Sequence, residues 1–142
     1  MARVPHGHYQ TSTLIAAVRL RGPCAPWVFE GAMDGEMFLA WVRQGLAPTL
    51  QPQDVVIMDN LATHKVAGVC QAIEAVGARL LYLPPYSPDF NPIENLWSKI
   101  KHLLRSLAPR TADKLLEAVA VAFATLSTAD CHGFFFHARY AT

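Results

Sequence analysis

From Leu83 to Leu104 the chain reads LPPYSPDFNPIENLWSKIKHLL, and no other stretch limits the possible folds as much. Pro84, Pro85, Pro88 and Pro92 each hold φ near about −65° and push the preceding residue toward extended conformations, so this loop has little freedom to lose on folding. Asn91 suits the cap of a helix whose first position, Pro92, has no N–H to waste. Ile93, Leu96, Trp97, Ile100, Leu103, Leu104 and Leu107 then recur at three- and four-residue steps, which predicts an amphipathic helix with that stripe facing a core. The stiff loop therefore delivers Glu94 into a first helical turn. Two readings of that carboxylate are open. It is a metal ligand, or it sits at N3 of a capping box and reaches back to the Asn91 backbone N–H.

With 142 residues, 52% hydrophobic and 16% charged, the chain fits one domain over 1–142 with a well-buried core, and a disordered segment is excluded. The longest aliphatic runs, such as Leu14 to Val18 and Ala118 to Ala124, fall far short of the roughly 18 to 20 apolar residues of a membrane span. The N-terminus lacks the apolar stretch of a secretory signal. Cys24, Cys70 and Cys131 form no C-x-x-C pair, which argues against a disulfide framework and a structural zinc site and favours a reducing cytoplasm. His6 and His8 with Cys24 lack zinc-site spacing as well. A net charge of +1 leaves no global electrostatic footprint of a nucleic-acid binder, so DNA contact must rest on local features.

Thr11 to Arg21 reads as a strand closed by Gly22-Pro23, and Ala25 to Glu30 as its antiparallel partner. Asp34, in a Gly-flanked turn, reads as solvated, and Asp89 as a turn former. Met37, Phe38, Trp41, Val42 and Leu46 predict a helix stopped near Pro48. Val55 to Met58 is a short apolar run expected to be covered on both faces, and it ends in Asp59-Asn60. Val66, Val69, Cys70, Ile73 and Val76 give a helix ended by Gly77, and Arg79 to Leu83 a further buried strand, completing a β-α-β unit. Beyond Ala108-Pro109, Leu115 to Leu126 predicts a last long helix. Trp27, Trp41 and Trp97 fall at core-facing positions and read as packing.

Asp59 ends a buried strand, the place where α/β sheets gather ligands, and the next strand should emerge beside it carrying the loop to Glu94. Two such carboxylates suit a hard divalent cation acting on a phosphate ester. The bland alternative for Asp59 is a cap on the following turn. On the predicted helix Glu94, Ser98, Lys101 and Arg105 share one exposed stripe, with Lys99 and His102 elsewhere on the surface; a solvated face and a DNA-backbone contact both fit.

Met-Asp-Asn-Leu-Ala-Thr-His-Lys at 58–65 and Leu-Pro-Pro-Tyr-Ser-Pro-Asp-Phe-Asn-Pro-Ile-Glu-Asn-Leu-Trp at 83–97 leave 34 residues, 60 to 93, between Asp59 and Glu94. In this the chain resembles the mariner-type bacterial insertion-sequence transposases, which carry a DDE superfamily endonuclease domain. The resemblance extends to Gly35-Glu36-Met37-Phe38 and to Cys131…Phe135…His137…Tyr140. It implies an RNase H-like α/β fold, a mixed sheet flanked by helices, with Asp59 as the second acid of a catalytic triad and Glu94 as the third. It also implies two Mg²⁺ or Mn²⁺ ions, one activating the attacking water or DNA 3′-hydroxyl and the other stabilising the leaving oxygen. The implied reaction is phosphodiester hydrolysis at the element ends followed by strand transfer into target DNA. His64 and Lys65 match the family motif; as a surface pair at a helix start they read either as simply solvated or as candidates for DNA phosphates beside Lys101 and Arg105.

The chain departs from the family at its start. The strand with the first aspartate should precede Thr11, yet residues 1 to 10 contain no acid, Glu30 and Asp34 come too late, and no helix-turn-helix region is present. The expectation is a fold truncated at its first strand, the downstream part of a transposase, arising as a remnant or as a second reading frame. Two carboxylates would hold one ion weakly, so the isolated chain is expected not to transpose DNA. The alternative is a non-enzymatic fragment that binds or inhibits intact transposase. An unpaired sheet edge should promote self-assembly or association with the full-length protein. The expected setting is the bacterial cytoplasm, at the nucleoid, with no membrane.

Overall fold

The structure, a computed structural model, describes residues 2–5, 11–85, 90–138 and 140. They group into two compact units, 1–32 with 92–142, and 33–91.

In the first unit, strands β1 (Ala2–Pro5), β2 (Thr11–Arg19) and β3 (Gly22–Glu30) form an antiparallel sheet in the order β1-β2-β3. The expectation of a missing opening strand is corrected here. Ala2–Pro5 pairs with Thr11–Leu14 and covers that edge of β2, although it brings no acid with it. The hairpin turn also differs. Arg19 pairs with Gly22, so Leu20-Arg21 turns the chain and Gly22-Pro23 opens β3, where a proline is tolerated because β3 is an edge strand. Ile15 pairs with Trp27 and Ala17 with Cys24, leaving Ala25 and Pro26 opposite Ala16; Ala25 takes φ +54° as the bulge absorbs the extra residue.

Leu14 and Ala16 lie two apart and so share a face of β2, where they join a core made by three helices. Helix α3 (Pro92–Leu107) contributes Leu96, Trp97, Ile100 and Leu104, in keeping with its periodicity, whereas Leu107 at its end is exposed. Ala108, at φ +48°, ends the helix, its N–H donating to the Leu104 carbonyl. Helix α4 (Ala112–Ala124) is capped by Thr111, whose hydroxyl accepts from the Lys114 N–H, and it buries Leu115, Ala118, Val119 and Ala122. Trp97 meets Phe123 edge-on. Helix α5 (Thr128–His137), absent from the sequence reading, starts at a reciprocal Ser127/Asp130 capping box and buries Cys131 and Phe134. Lys99 is half-buried rather than on the open surface, because its ammonium pairs with Asp130 at 2.8 Å.

In the second unit, helix α1 (Gly35–Trp41) runs on through a π turn (Val42–Leu46) and a 3-10 turn (Ala47–Thr49), burying Phe38, Trp41, Val42 and Leu46. Asp34 is exposed, as expected, and also caps α1, its carboxylate accepting from the Met37 N–H at 2.8 Å. Strand β4 (Val55–Met58) and strand β5 (Arg79–Tyr82) are parallel, with helix α2 (Val69–Glu74) on the crossover, as the β-α-β pattern predicts. These strands are less covered than expected: Val55 is 48% and Leu81 49% exposed, and β5 alternates exposed with half-buried residues. A two-stranded sheet has two edges and few neighbours to bury them. Gly77, at φ +84°, makes the turn into β5, its carbonyl accepting from the Gln53 N–H. The three cysteines carry thiols, half-buried at Cys24, exposed at Cys70 and buried at Cys131.

Candidate functional site

Asp59 follows directly on β4, at its C-terminal end, and the Leu83 N–H donating to the Met58 carbonyl continues the β4/β5 pairing past the last strand residue. The Asp59 backbone carbonyl accepts from the Leu61 N–H at 2.9 Å and lies 3.0 Å from Nδ1 of His64. A carbonyl only accepts, so Nδ1 carries the proton and Nε2 is left as an acceptor. His64, on the 3-10 turn Ala62–Lys65, is only 8% exposed and stacks on Phe38 with ring centroids 4.5 Å apart. Burial holds the imidazole below its ordinary pKa, against the opposing effect of the Asp59 carbonyl. The surface position expected for His64 is thereby corrected: the ring faces inward and braces the Asp59 backbone. Lys65 remains exposed, its ammonium 5.4 Å from the centre of the Tyr82 ring, and the Tyr82 hydroxyl donates to the His64 carbonyl.

The side chain of Asp59 has a partner that no local pattern in the sequence reveals. Asn91, 6% exposed, donates from Nδ2 to Oδ1 of Asp59 at 2.9 Å. Its place before Pro92 explains it as a cap, and nothing nearby points to a residue 32 positions earlier. Phe38 was legible only as a core residue, yet it is the plate on which His64 rests. Gly35 belongs to the same support. A Cβ there would lie 2.6 Å from Cγ2 of Val66, one residue beyond the 3-10 turn, so α1 approaches this turn as closely as glycine permits.

Within 33–91, then, Asp59 gathers Asn91 and His64, and Phe38 backs His64. Glu94, in the first turn of α3, and Lys101 and Arg105 further along it are exposed members of the other unit. Asp89, His6 and His8 lie outside the described residues. The carboxylate oxygens suit a hard cation in kind, but among the described residues no three His, Cys, Asp or Glu side chains gather where they could hold one.

An α/β chain with an aspartate so braced at the end of a parallel strand fits a nuclease-type scaffold, and the chain belongs to the DDE superfamily endonuclease family, whose model matches residues 3–116. The Tcb1 transposase of Caenorhabditis briggsae is 23% identical over 120 residues, 84% of this chain and 42% of that protein. The chain thus spans about two fifths of the curated relative it matches. Its fold is that of the catalytic domain of the Mos1 mariner transposase, with a TM-score of 0.78 at 14% identity, covering 99% of this chain and 81% of that one. The same Mos1 domain solved with raltegravir and Mg superposes with a TM-score of 0.77 at 14% identity, over 96% of this chain and 76% of the other. The RNase H-like mixed α/β class expected from the sequence is the class found, with its antiparallel and parallel strands in separate sheets among the described residues.

Proposed function

We propose that this chain is a transposase catalytic domain in which Asp59 and Glu94 are two of the acidic ligands for Mg²⁺ or Mn²⁺. The observation that carries the reading is the double bracing of Asp59, by a buried amide on its carboxylate and a buried imidazole on its carbonyl. An aspartate serving only as a turn former has no need of two buried side chains from separate elements. The family match and the Mg-containing Mos1 structure support the same reading.

The chain's own residues do the positioning. Asn91 fixes Oδ1, His64 fixes the carbonyl, and among the described residues Oδ2 takes no hydrogen bond. A divalent ion, when bound, supplies positive charge to the phosphate and leaving oxygens of a DNA strand. The exposed Lys101 and Arg105 on α3, and Lys65, are the cations offered to DNA phosphates. Ala2–Pro5 carries no acid, so this strand adds no third carboxylate to Asp59 and Glu94. A second reading, a non-catalytic fragment that associates with intact transposase, draws on the same missing acid and on the exposed Leu116 and Val121 of α4 and Phe136 of α5. Among the described residues, no single helix is long and apolar enough to cross a membrane.

Nicking of transposon-end DNA with Mg²⁺ or Mn²⁺ tests the reading. The isolated chain should show no cleavage above background. When an upstream segment bearing the first aspartate is joined to it, cleavage should appear and fall by on the order of 1,000-fold in Asp59→Ala or Glu94→Ala, as expected for losing several kcal/mol of transition-state stabilisation. Cleavage by the isolated chain that disappears in Asp59→Ala would show that no third acid is needed and overturn it.

A further inference from the structure

The proline-stiffened loop leads to Glu94, and it also carries the Asn91 side chain to Asp59. Building on the reading of Asp59 as a ligand carboxylate, we propose that Asn91 is the positioning residue for Asp59. It ties down Oδ1, sets the plane of the carboxylate and leaves Oδ2 as the oxygen offered to a divalent cation.

The geometry is specific. An ionised carboxylate only accepts hydrogen bonds, so the amide must turn its NH₂ toward Asp59, in agreement with the 2.9 Å contact from Nδ2 to Oδ1. The amide is 6% exposed, where water competes poorly and an unmade hydrogen bond is costly. On the other side of the pair, the Asp59 backbone is already held at its carbonyl by the Leu61 N–H and His64 Nδ1. What remains mobile in Asp59 is its side-chain torsions, and the Asn91 contact removes that freedom. Asn91 is itself fixed from behind, because Pro92 restricts its backbone to extended conformations. The proline that begins α3 therefore also stiffens the group that aims the acid at the end of β4. Hydrogen bonds of this outer kind commonly tune metal affinity about 10- to 100-fold.

Two measurements on the 142-residue chain test this. In a ¹⁵N-labelled sample, Asp59→Ala should shift the Asn91 side-chain amide resonances and speed their exchange with water about tenfold. In Mn²⁺ titrations followed by water-proton relaxation, Asp59→Asn should abolish the specific site. Asn91→Ser, which keeps a good helix-capping side chain but cannot reach Asp59, should weaken the site about tenfold while circular dichroism stays that of the wild type. Asn91 amide signals indifferent to Asp59→Ala overturn the proposal, as does a folded Asn91→Ser chain that binds Mn²⁺ like wild type where Asp59→Asn does not. Mn²⁺ binding indifferent to Asp59→Asn sinks the ligand reading itself, and the amide signals then separate that failure from a missing hydrogen bond. Should Asn91→Ser fail to fold, the Asp59→Ala spectrum still reads the same contact without altering Asn91.

Discussion

The unit built from 1–32 and 92–142 and the unit built from 33–91 use burial for different ends. In the first, α3, α4 and α5 press aliphatic and aromatic side chains onto one face of a hairpin, and its buried polar residues, Ser12 and Thr13, lie on β2. In the second, helices are short or depart into π and 3-10 turns, both strands have four residues, and the buried set includes His64 and Asn91, which hold Asp59 from two directions. The helical core dominates the first unit, whereas the second surrounds Asp59 with buried polar support. A core mutation in the first unit should therefore cost mainly free energy, and one around Asp59 should also disturb its placement.

The largest stability effect should come from the helical core. Ile100 is fully buried on α3, so Ile100→Ala should cost about 2–5 kcal/mol in urea melts with no special effect on Asp59 beyond unfolding. Gly35→Ala comes next. Its new methyl group would press on Val66, and overpacking of this kind costs about 1–3 kcal/mol. The contrast between the units predicts more than the stability change, namely displacement of the His64 ring, visible as loss of a protected Nδ1–H signal. If Gly35→Ala destabilised the chain and left that signal unmoved, α1 would not be the support of the turn. The smallest effect belongs to the Lys99–Asp130 pair. The Lys99 ammonium, aided by the Ser127 cap contacts, lowers the Asp130 carboxyl from its ordinary 3.8 to about 2. Its stabilisation is therefore complete above about 3.8 and is lost as pH falls toward about 2. Lys99→Ala should flatten that acid-side step and cost only about 0.5 kcal/mol at neutral pH, since the pair is partly exposed.

Sequence periodicity located α3 and the buried face of α1 because each buries residues at a regular step, and short apolar runs on either side of a helical stretch located β4-α2-β5. It missed α5, whose apolar residues Phe134, Phe135 and Phe136 run consecutively and show no face; the Ser127/Asp130 spacing was the one signal available. It placed the hairpin turn two residues late, because Gly-Pro is a turn signal and an edge strand accepts it all the same. Asp59 and Glu94 could be singled out by motif, since residue types and spacing carry that information. The supports of Asp59 could not. Asn91 reaches it across the fold and Phe38 supports it only through His64, and each had a sufficient local explanation, one as a cap and the other as a core residue.

Whether Asp59 and Glu94 serve one metal can be read directly from Mn²⁺-induced line broadening in the labelled chain. At the same substoichiometric Mn²⁺, backbone amide signals flanking Asp59 and those flanking Glu94 should broaden together, and either Asp59→Asn or Glu94→Gln should remove both effects. Broadening at Asp59 with the Glu94 signals untouched would contradict the account and leave Glu94 as a capping residue.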